Sequence, residues 1–346
     1  MSHQPLRIID ANLNRTSEGL KLLEDVARFL LDDAAISQQL ESMRHGLAQN
    51  AQSLSIKLLS QRDTEHDVAI ETVSERQDMA DIIIANAKRA EESLLVMEEL
   101  AKLPDISRIL DSSELKQTRL ALYTIERRLL SKILREEKKK RLIGLYVILD
   151  TKALAGRDEL QVAGEIIQGG AKAIQLRDKQ RSKGKLLPIA QKLKILCADS
   201  GVLFIINDYL DLALTSEADG LHIGQEDLPL PAVRKELPVD RIVGCSVTTV
   251  SQAIKAQDEG ADYIGVGSMF PTTTKKNAIL VGVDMLKQIR QAVSSPLVAI
   301  GGINEENVEQ VMAAGADSVA VVGAVLGKED VKVAAQQLVA KMGLAR

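Results

Sequence analysis

Tryptophan is absent from this chain of 346 residues, and with four tyrosines and three phenylalanines the aromatic content is 2 %. Proteins that hold single-stranded nucleic acid by stacking need aromatic platforms, so nothing here favours that class. Nor is there a surplus of positive charge. Lys and Arg number 44 against 48 Asp and Glu, a net charge of −4, so bulk charge draws in no polyanion. Any phosphate has to be held by local Lys, Arg and backbone N–H groups. The two cysteines, Cys197 and Cys245, have neither metal-ligand spacing nor partners for a disulfide framework, which points to a reducing compartment. No run reaches the ~18 apolar residues of a membrane span. The opening MSHQPLRIID lacks a charged segment followed by a long apolar one, so no secretory signal is expected. No G-x-x-x-x-G-K-[ST] loop occurs, which excludes a P-loop mechanism. The expectation is a cytoplasmic protein whose partners are small molecules, with no membrane and no nucleic acid, and with self-association left open.

What the chain does have is enough apolar residue, 45 %, for two cores, and a length that suits two domains. Residues 1–140 are rich in Leu, Ala, Glu, Lys and Arg at helical spacing and poor in Pro and Gly. They predict helices near 7–31, 34–60, 75–103 and 112–139. The charged run Glu136–Arg141 reads as a solvated helix end and hinge, or as a phosphate-binding patch. From Leu142 the texture changes. Short β-rich runs at 144–149, 172–176, 202–206, 219–223, 242–246, 262–267, 297–301 and 317–322 alternate with helical stretches. Eight strand–helix units in 141–346 predict an α/β fold, a (β/α)8 TIM barrel preceded by an all-α helical domain. An open doubly wound sheet is the rival. Closure is favoured by the count of eight and by paired glycines at the ends of late strands.

In such barrels reactive residues sit where each strand meets its following loop. After strand 2, alternation places Gln175, Arg177 and Lys179 on one side, two cations and an amide suited to a diphosphate. Asn207 and Asp208 follow strand 3, and Asp227 lies in the loop after strand 4. Either aspartate alone would serve as a helix N-cap. On adjacent loops the pair could also meet across one Mg2+, which takes few carboxylates and prefers phosphate oxygens and water for the rest. His222 lies inside an apolar strand, where a packed core histidine and a catalytic one are both open. Strand 5 ends at Gly244-Cys245-Ser246. Strand 6 leads into Pro271, Thr272, Thr273, Thr274, Lys275 and Lys276, hydroxyls and lysines that resemble a flexible anion clamp. Gly301 and Gly302 after strand 7, with Gly323 after strand 8, let backbone N–H groups approach a phosphate.

These motifs, in order, resemble those of thiamine phosphate synthases: LYVILD at 145–150, QLRDK at 175–179, IINDYLDLA at 205–213, ADGLHIGQEDLP at 218–229, GCS at 244–246, DYIGVGSMFPTTTKK at 262–276 and AIGGI at 299–303. The resemblance spans 142–346. It implies joining of 4-amino-2-methyl-5-(diphosphooxymethyl)pyrimidine to a thiazole phosphate (or its carboxylate), with loss of diphosphate. It also implies that Gln175, Arg177, Lys179, Asn207, Ser246 and Lys275 contact the pyrimidine diphosphate and that Asp208 and Asp227 bind Mg2+. Thr272, Thr274, Gly302, Val322 and Gly323 then fall on the thiazole phosphate site. Many family members carry Ser where this chain has Gly323, so one hydroxyl contact is missing. No Ser/His/Asp or Cys/His arrangement supplies a protein nucleophile, and the implied substitution needs none.

The helical half contains a repeat. Ala11, Asn12, Arg15, Glu18, Leu20, Glu24, Ala27 and Arg28 match Ala85, Asn86, Arg89, Glu92, Leu94, Glu98, Ala101 and Lys102 at the same spacings. At about 100° per residue Asn12 and Arg15 lie on the stripe of Leu22, Leu23 and Val26, where polar groups must find partners or line a cleft. Two equivalent helices could frame one site, or form a duplicated helix pair with buried structural ion pairs. The stretch RIIDANLNRTSEGLKLLEDVARF at 7–29, with Met43-Arg44-His45, Arg62-Asp63 and the second Asn86…Arg89…Glu92 motif, resembles a helical domain often fused ahead of such synthases and associated with hydroxymethylpyrimidine phosphate kinase activity. That resemblance implies ATP as co-substrate, with Asn12, Arg15, Glu18, Asn86, Arg89 and Glu92 as candidate site residues. The second motif, Glu92-Ser93 against Glu18-Gly19, is the looser copy. Two other readings stay open. One is a synthase carrying a non-catalytic helical oligomerisation domain. The other is a barrel that binds thiamine intermediates for regulation, against which Arg177, Asp208, Asp227 and Lys275 all speak.

Overall fold

A computed structural model describes residues 3–51, 75–272 and 278–343. The expected continuation of the second helix through 52–60, the Arg62-Asp63 pair, and Thr273, Thr274, Lys275 and Lys276 lie outside the described residues. The chain forms two compact units, Met1–Leu134 and Arg135–Arg346. Among the described residues no helix is long and apolar enough to cross a membrane.

The first unit is helical. α1 runs His3–Asp25 and ends in a π turn at Val26–Leu30, α2 spans Ala34–Ala51, α3 Met79–Leu100 and α4 Ser112–Leu142, whose residues from Arg135 onward belong to the second unit. Starts are marked by aspartates that satisfy otherwise orphaned N–H groups. Asp33 accepts from Ile36 N at 3.0 Å before α2, Asp78 from Asp81 N at 2.9 Å before α3, and Asp111 from Ser113 N at 2.7 Å before α4. Ile9, Leu20, Leu23, Leu40, Ile83, Leu94, Met97 and Leu122 form the core.

The sequence repeat is a structural one. Asn12 Nδ2 donates to Ile8 O and Asn86 Nδ2 to Ile82 O, both at 2.8 Å. Glu24 pairs with Arg44 of α2 at 3.1 Å, and the equivalent Glu98 pairs with Arg119 of α4 at 2.8 Å. α1 and α3 approach closely at Gly19, where a Cβ would lie 2.9 Å from Asn86 O. The expected buried stripe needs one correction. Asn12 is buried, but Arg15 is exposed, as are Glu18, Arg89 and Glu92. A residue at the edge of the stripe with a long stem reaches solvent, so the buried charges of the repeat are Glu24 and Glu98.

The second unit is a closed parallel barrel in the order β1 to β8. The strands are Gly144–Asp150, Ala173–Arg177, Leu203–Asn207, Gly220–Ile223, Ile242–Val247, Tyr263–Gly267, Leu297–Ile300 and Ser318–Val321. Alternation sends Leu145, Val147, Ile174, Phe204, Val243 and Ile264 outward to the helices. It sends Tyr146, Ile148, Ala173, Leu203, Ile205, Ile242, Tyr263, Val298 and Ala320 into the interior. An aspartate precedes three even strands and ties each to its neighbour: Asp219 accepts from Phe204 N at 3.0 Å, Asp262 from Val243 N at 2.8 Å and Asp317 from Leu297 N at 2.8 Å.

These carboxylates also explain the charged run at 136–141, which is not simply solvated. Arg135 reaches Asp262 at 3.3 Å and Lys138 reaches Asp240 at 2.8 Å, with Leu142 buried in the interior cluster. The last turns of α4 therefore close the floor of the barrel, opposite the face where strands end.

One polar group of the helical unit is out of balance. Glu91 on α3 is 9 % exposed, and its Oε1 has no hydrogen-bond partner among the described residues. Burial, and then the charge of Glu126 on α4 and a proton shared with it, push its pKa up to about 7. The folded unit then holds a proton that the unfolded chain releases, so stability falls as pH climbs from about 4.5 to about 7. Thermal melts followed by circular dichroism at about pH 5 and about pH 8 check this: Glu91→Gln should raise the melting temperature at the higher pH and flatten the dependence, and an unchanged pH profile would contradict it.

Candidate active site

Because all eight strands run the same way, their last inward residues share one mouth. Arg177, Asn207, Ser246 and Gly267 occupy inward positions at or beside the ends of β2, β3, β5 and β6. Below them the interior is polar, although the residues flanking His222 in its strand are apolar. His222 faces inward, with Nδ1 3.1 Å from Tyr263 Oη and Nε2 2.8 Å from Ser246 Oγ. Gly244 and Gly265 make room for it: a Cβ at Gly244 would meet His222 Nδ1 at 2.6 Å, and one at Gly265 would meet His222 Cε1 at 2.9 Å. Gln175 sits deeper than Arg177, 2 % exposed, its Nε2 donating to Tyr146 Oη at 2.8 Å.

The rim cations rest on rim carboxylates. Arg177 pairs with Asp150 and Lys179 with Asp208. Asp150 is held in turn by the N–H groups of Lys152 at 3.0 Å and Ala153 at 3.2 Å. Parity turns Asp178 the other way. Its burial is outweighed by the N–H groups of Arg181 and Gln180 and by the Arg181 guanidinium, which hold its pKa at about 2. Asp208 adopts a left-handed backbone, φ 61°, and its N–H donates to His222 O at 2.8 Å, which anchors the loop after β3 on β4. Asp227 accepts from Gly224 N at 2.7 Å. Burial raises the Asp227 pKa, and the adjacent Asp208 carboxylate raises it further. The structure thus brings the two aspartates together.

The loops after β6 and β7 are joined through Met269 N to Ile300 O and Phe270 N to Gly301 O, both 2.9 Å. Gly302 has φ 66°, and a Cβ there would lie 2.6 Å from Pro271 O, so a side chain would drive the loops apart. Thr272 lies on this joined segment. Val322 precedes the short helix Gly323–Leu326, and a Cβ at Gly323 would meet nothing within 4 Å. The serine common at that position would therefore fit without strain. Thr274 and Lys275 lie outside the described residues. In the helical unit Asn12 and Asn86 spend their amides on their own helices. Among the described residues no hydrogen bond or ion pair joins Arg15, Glu18, Arg89 and Glu92 to one another.

Sequence reasoning passed over Asp150, Tyr146 and Tyr263. Their signal was available: Tyr146, Ile148 and Asp150 share the inward parity of β1, and Tyr263 that of β6.

A family profile described as thiamine monophosphate synthase matches residues 145–325, and one described as the ThiD2 family matches residues 7–128. A thiamine-phosphate synthase from Thermosynechococcus vestitus is 36 % identical over 339 residues, 97 % of this chain and 94 % of that protein. One from Moorella thermoacetica is 48 % identical over 195 residues, 56 % of this chain and 93 % of its own length. Among solved structures, a thiamine phosphate pyrophosphorylase from Pyrococcus furiosus is 37 % identical with a TM-score of 0.55, covering 59 % of this chain and 96 % of that one.

The crowding of two carboxylates has a direct consequence. Burial is the larger cause of the raised Asp227 pKa, but replacing Asp208 by Asn removes the charge that adds to it, so Asp227 should titrate lower. Carboxyl 13C NMR reads this, and an Asp227 pKa that stays put or rises would show that the two groups do not interact.

Proposed function

This chain belongs to the thiamine monophosphate synthase family, and from that premise we propose how its residues divide the reaction among them. The enzyme condenses 4-amino-2-methyl-5-(diphosphooxymethyl)pyrimidine with a thiazole phosphate to give thiamine phosphate and diphosphate. The reading of the site rests on one observation above the others: Arg177, Lys179, Asn207, Asp208, Asp227 and Ser246 converge at a single mouth.

In this reading Arg177 and Lys179, joined by Lys275, bind the diphosphate and take up the charge that gathers on it as the methylene C–O bond breaks. Each cation exchanges a carboxylate partner for phosphate oxygens, so little is lost in desolvation when substrate enters. Asn207 and Ser246 contribute an amide and a hydroxyl, and Gln175 reads the pyrimidine from below. The thiazole phosphate is held by Thr272, Thr274 and the backbone N–H groups of Gly302, Val322 and Gly323. The C–O electron pair leaves with diphosphate, the electron-rich aminopyrimidine stabilises the methylene cation left behind, and the thiazole nitrogen then attacks that carbon, so no side chain has to become covalently attached. Asp208 and Asp227 suit Mg2+: two carboxylates close enough for one to raise the pKa of the other form a donor set short of a cation. When bound, Mg2+ supplies positive charge to the leaving diphosphate.

For the helical unit we propose phosphorylation of hydroxymethylpyrimidine phosphate by ATP, which would supply the barrel's own substrate. The match over 7–128 supports this. Arg15, Glu18, Arg89 and Glu92 are exposed and so open to a ligand. Asn12 and Asn86 act at most through helix geometry, since each is bonded to its own helix. The buried Glu24–Arg44 and Glu98–Arg119 pairs favour the rival reading, a structural unit without turnover.

One experiment separates them. The full chain is given thiazole phosphate and Mg2+ with either the pyrimidine diphosphate, or the monophosphate plus ATP. Thiamine phosphate in both reactions is expected. Product from the diphosphate alone overturns the kinase and leaves the synthase standing, and no product from either overturns the assignment of the site.

A further inference from the structure

Between Gln175 and Ser246 the barrel interior carries a chain of polar groups, Tyr146, Tyr263 and His222, that the division of labour above leaves without a task. Gln175 Nε2 donates to Tyr146 Oη at 2.8 Å. Tyr146 Oη and Tyr263 Oη are 3.2 Å apart. Tyr263 Oη is 3.1 Å from His222 Nδ1, and His222 Nε2 is 2.8 Å from Ser246 Oγ. The two ends of this chain, Gln175 and Ser246, are both assigned above to the pyrimidine diphosphate.

With Gln175 Nε2 as the donor at one end, a single direction gives every phenol proton an acceptor. Burial pushes both phenol pKa values well up, so each tyrosine keeps its single proton. Tyr146 accepts from the Gln175 amide and gives its own proton to Tyr263. Tyr263, having accepted, gives its proton to His222 Nδ1. An imidazole that accepts at Nδ1 carries its proton on Nε2 when neutral, and that N–H points at Ser246 Oγ. The serine hydroxyl is thereby the acceptor on this side, and its own proton is left to point away from His222. Gln225 Nε2 holds the Ser246 carbonyl at 2.8 Å, which steadies the residue's backbone. With its amide N–H engaged by Tyr146, Gln175 turns its carbonyl oxygen elsewhere.

We propose that Tyr146, Tyr263 and His222 are positioning residues, a one-way hydrogen-bond relay that makes Ser246 a donor toward the diphosphate and Gln175 an acceptor for the pyrimidine amino group. The inference rests on the assignment of Gln175 and Ser246 to that substrate, but the relay itself does not. The opposite direction needs the Gln175 amide turned over. It puts the imidazole proton on Nδ1, spends the Ser246 proton on His222 and offers an anion only lone pairs. Gly244 and Gly265 belong to the same device, since a side chain at either would strike His222.

The test begins with the unmodified full chain labelled with 15N-histidine, with the His222 signals assigned by their loss in His222→Gln. The relay requires an unprotonated Nδ1 and a protonated Nε2; a protonated Nδ1 in the neutral ring overturns it, whatever the variants do. Kinetics then link the relay to substrate. Tyr263→Phe should lower kcat/KM for the pyrimidine diphosphate about tenfold, but less than about twofold in a Ser246→Ala background, because the two residues act as one unit. The KM for thiazole phosphate should stay within about twofold, which a general loss of fold would not allow. Equal losses in both backgrounds would overturn the positioning role. Should Tyr263→Phe not fold, Tyr146→Phe, two steps further from Ser246, takes its place in the same cycle.

Discussion

Side chains alternate along a strand, and in a closed parallel barrel that alternation decides what lines the mouth. Every second residue points inward, and the last inward residue of each strand is delivered to the same end. Asp150, Arg177, Asn207 and Ser246 are neighbours for that reason, although nearly a hundred residues separate the first from the last. One residue of slippage in any strand would turn its reactive group into the helical shell. The ties formed by Asp219, Asp262 and Asp317 at the strand starts, and the turns of α4 beneath them, therefore serve the chemistry at the far end by holding register.

Charge at that mouth is arranged for exchange. Arg177 and Lys179 already have carboxylate partners, and Asp208 and Asp227 already crowd each other. In the proposed reading a diphosphate with a divalent cation would satisfy both sets together, the cations turning to phosphate and the carboxylates to metal. Neither alone would do so.

Much of this is visible in the residues before any coordinates. The β-rich runs from 144 to 322 and the parity of Gln175, Arg177 and Lys179 suffice for the eight strand–helix units and for the face of the reactive groups, since both follow from local periodicity, while closure into a barrel was only favoured over an open sheet. What periodicity does not carry is depth and partner. Gln175 and Arg177 have the same parity, yet one is bonded to a core tyrosine and the other to Asp150 at the rim. Asp150 was passed over because an acid at a strand end has many uses. His222 looked like a residue in an apolar strand because the groups that bond it, Ser246 and Tyr263, come from β5 and β6, distant in sequence. The same limit applies to the helical unit. The repeat was plain, but the arginines that neutralise Glu24 and Glu98 lie on other helices, and spacing alone put Arg15 on a buried stripe that its stem allows it to leave.

Mutual dependence of metal and diphosphate at the shared mouth is the claim on which the account stands. Calorimetric titration of the full chain with inorganic diphosphate, with and without Mg2+, tests it most directly, using Asp227→Asn as the comparison. The account predicts that Mg2+ tightens diphosphate binding at least about tenfold in the unmodified chain and far less in the variant, a coupling of ~1.4 kcal/mol or more. Diphosphate affinity indifferent to Mg2+, or equally sensitive in both proteins, would contradict it.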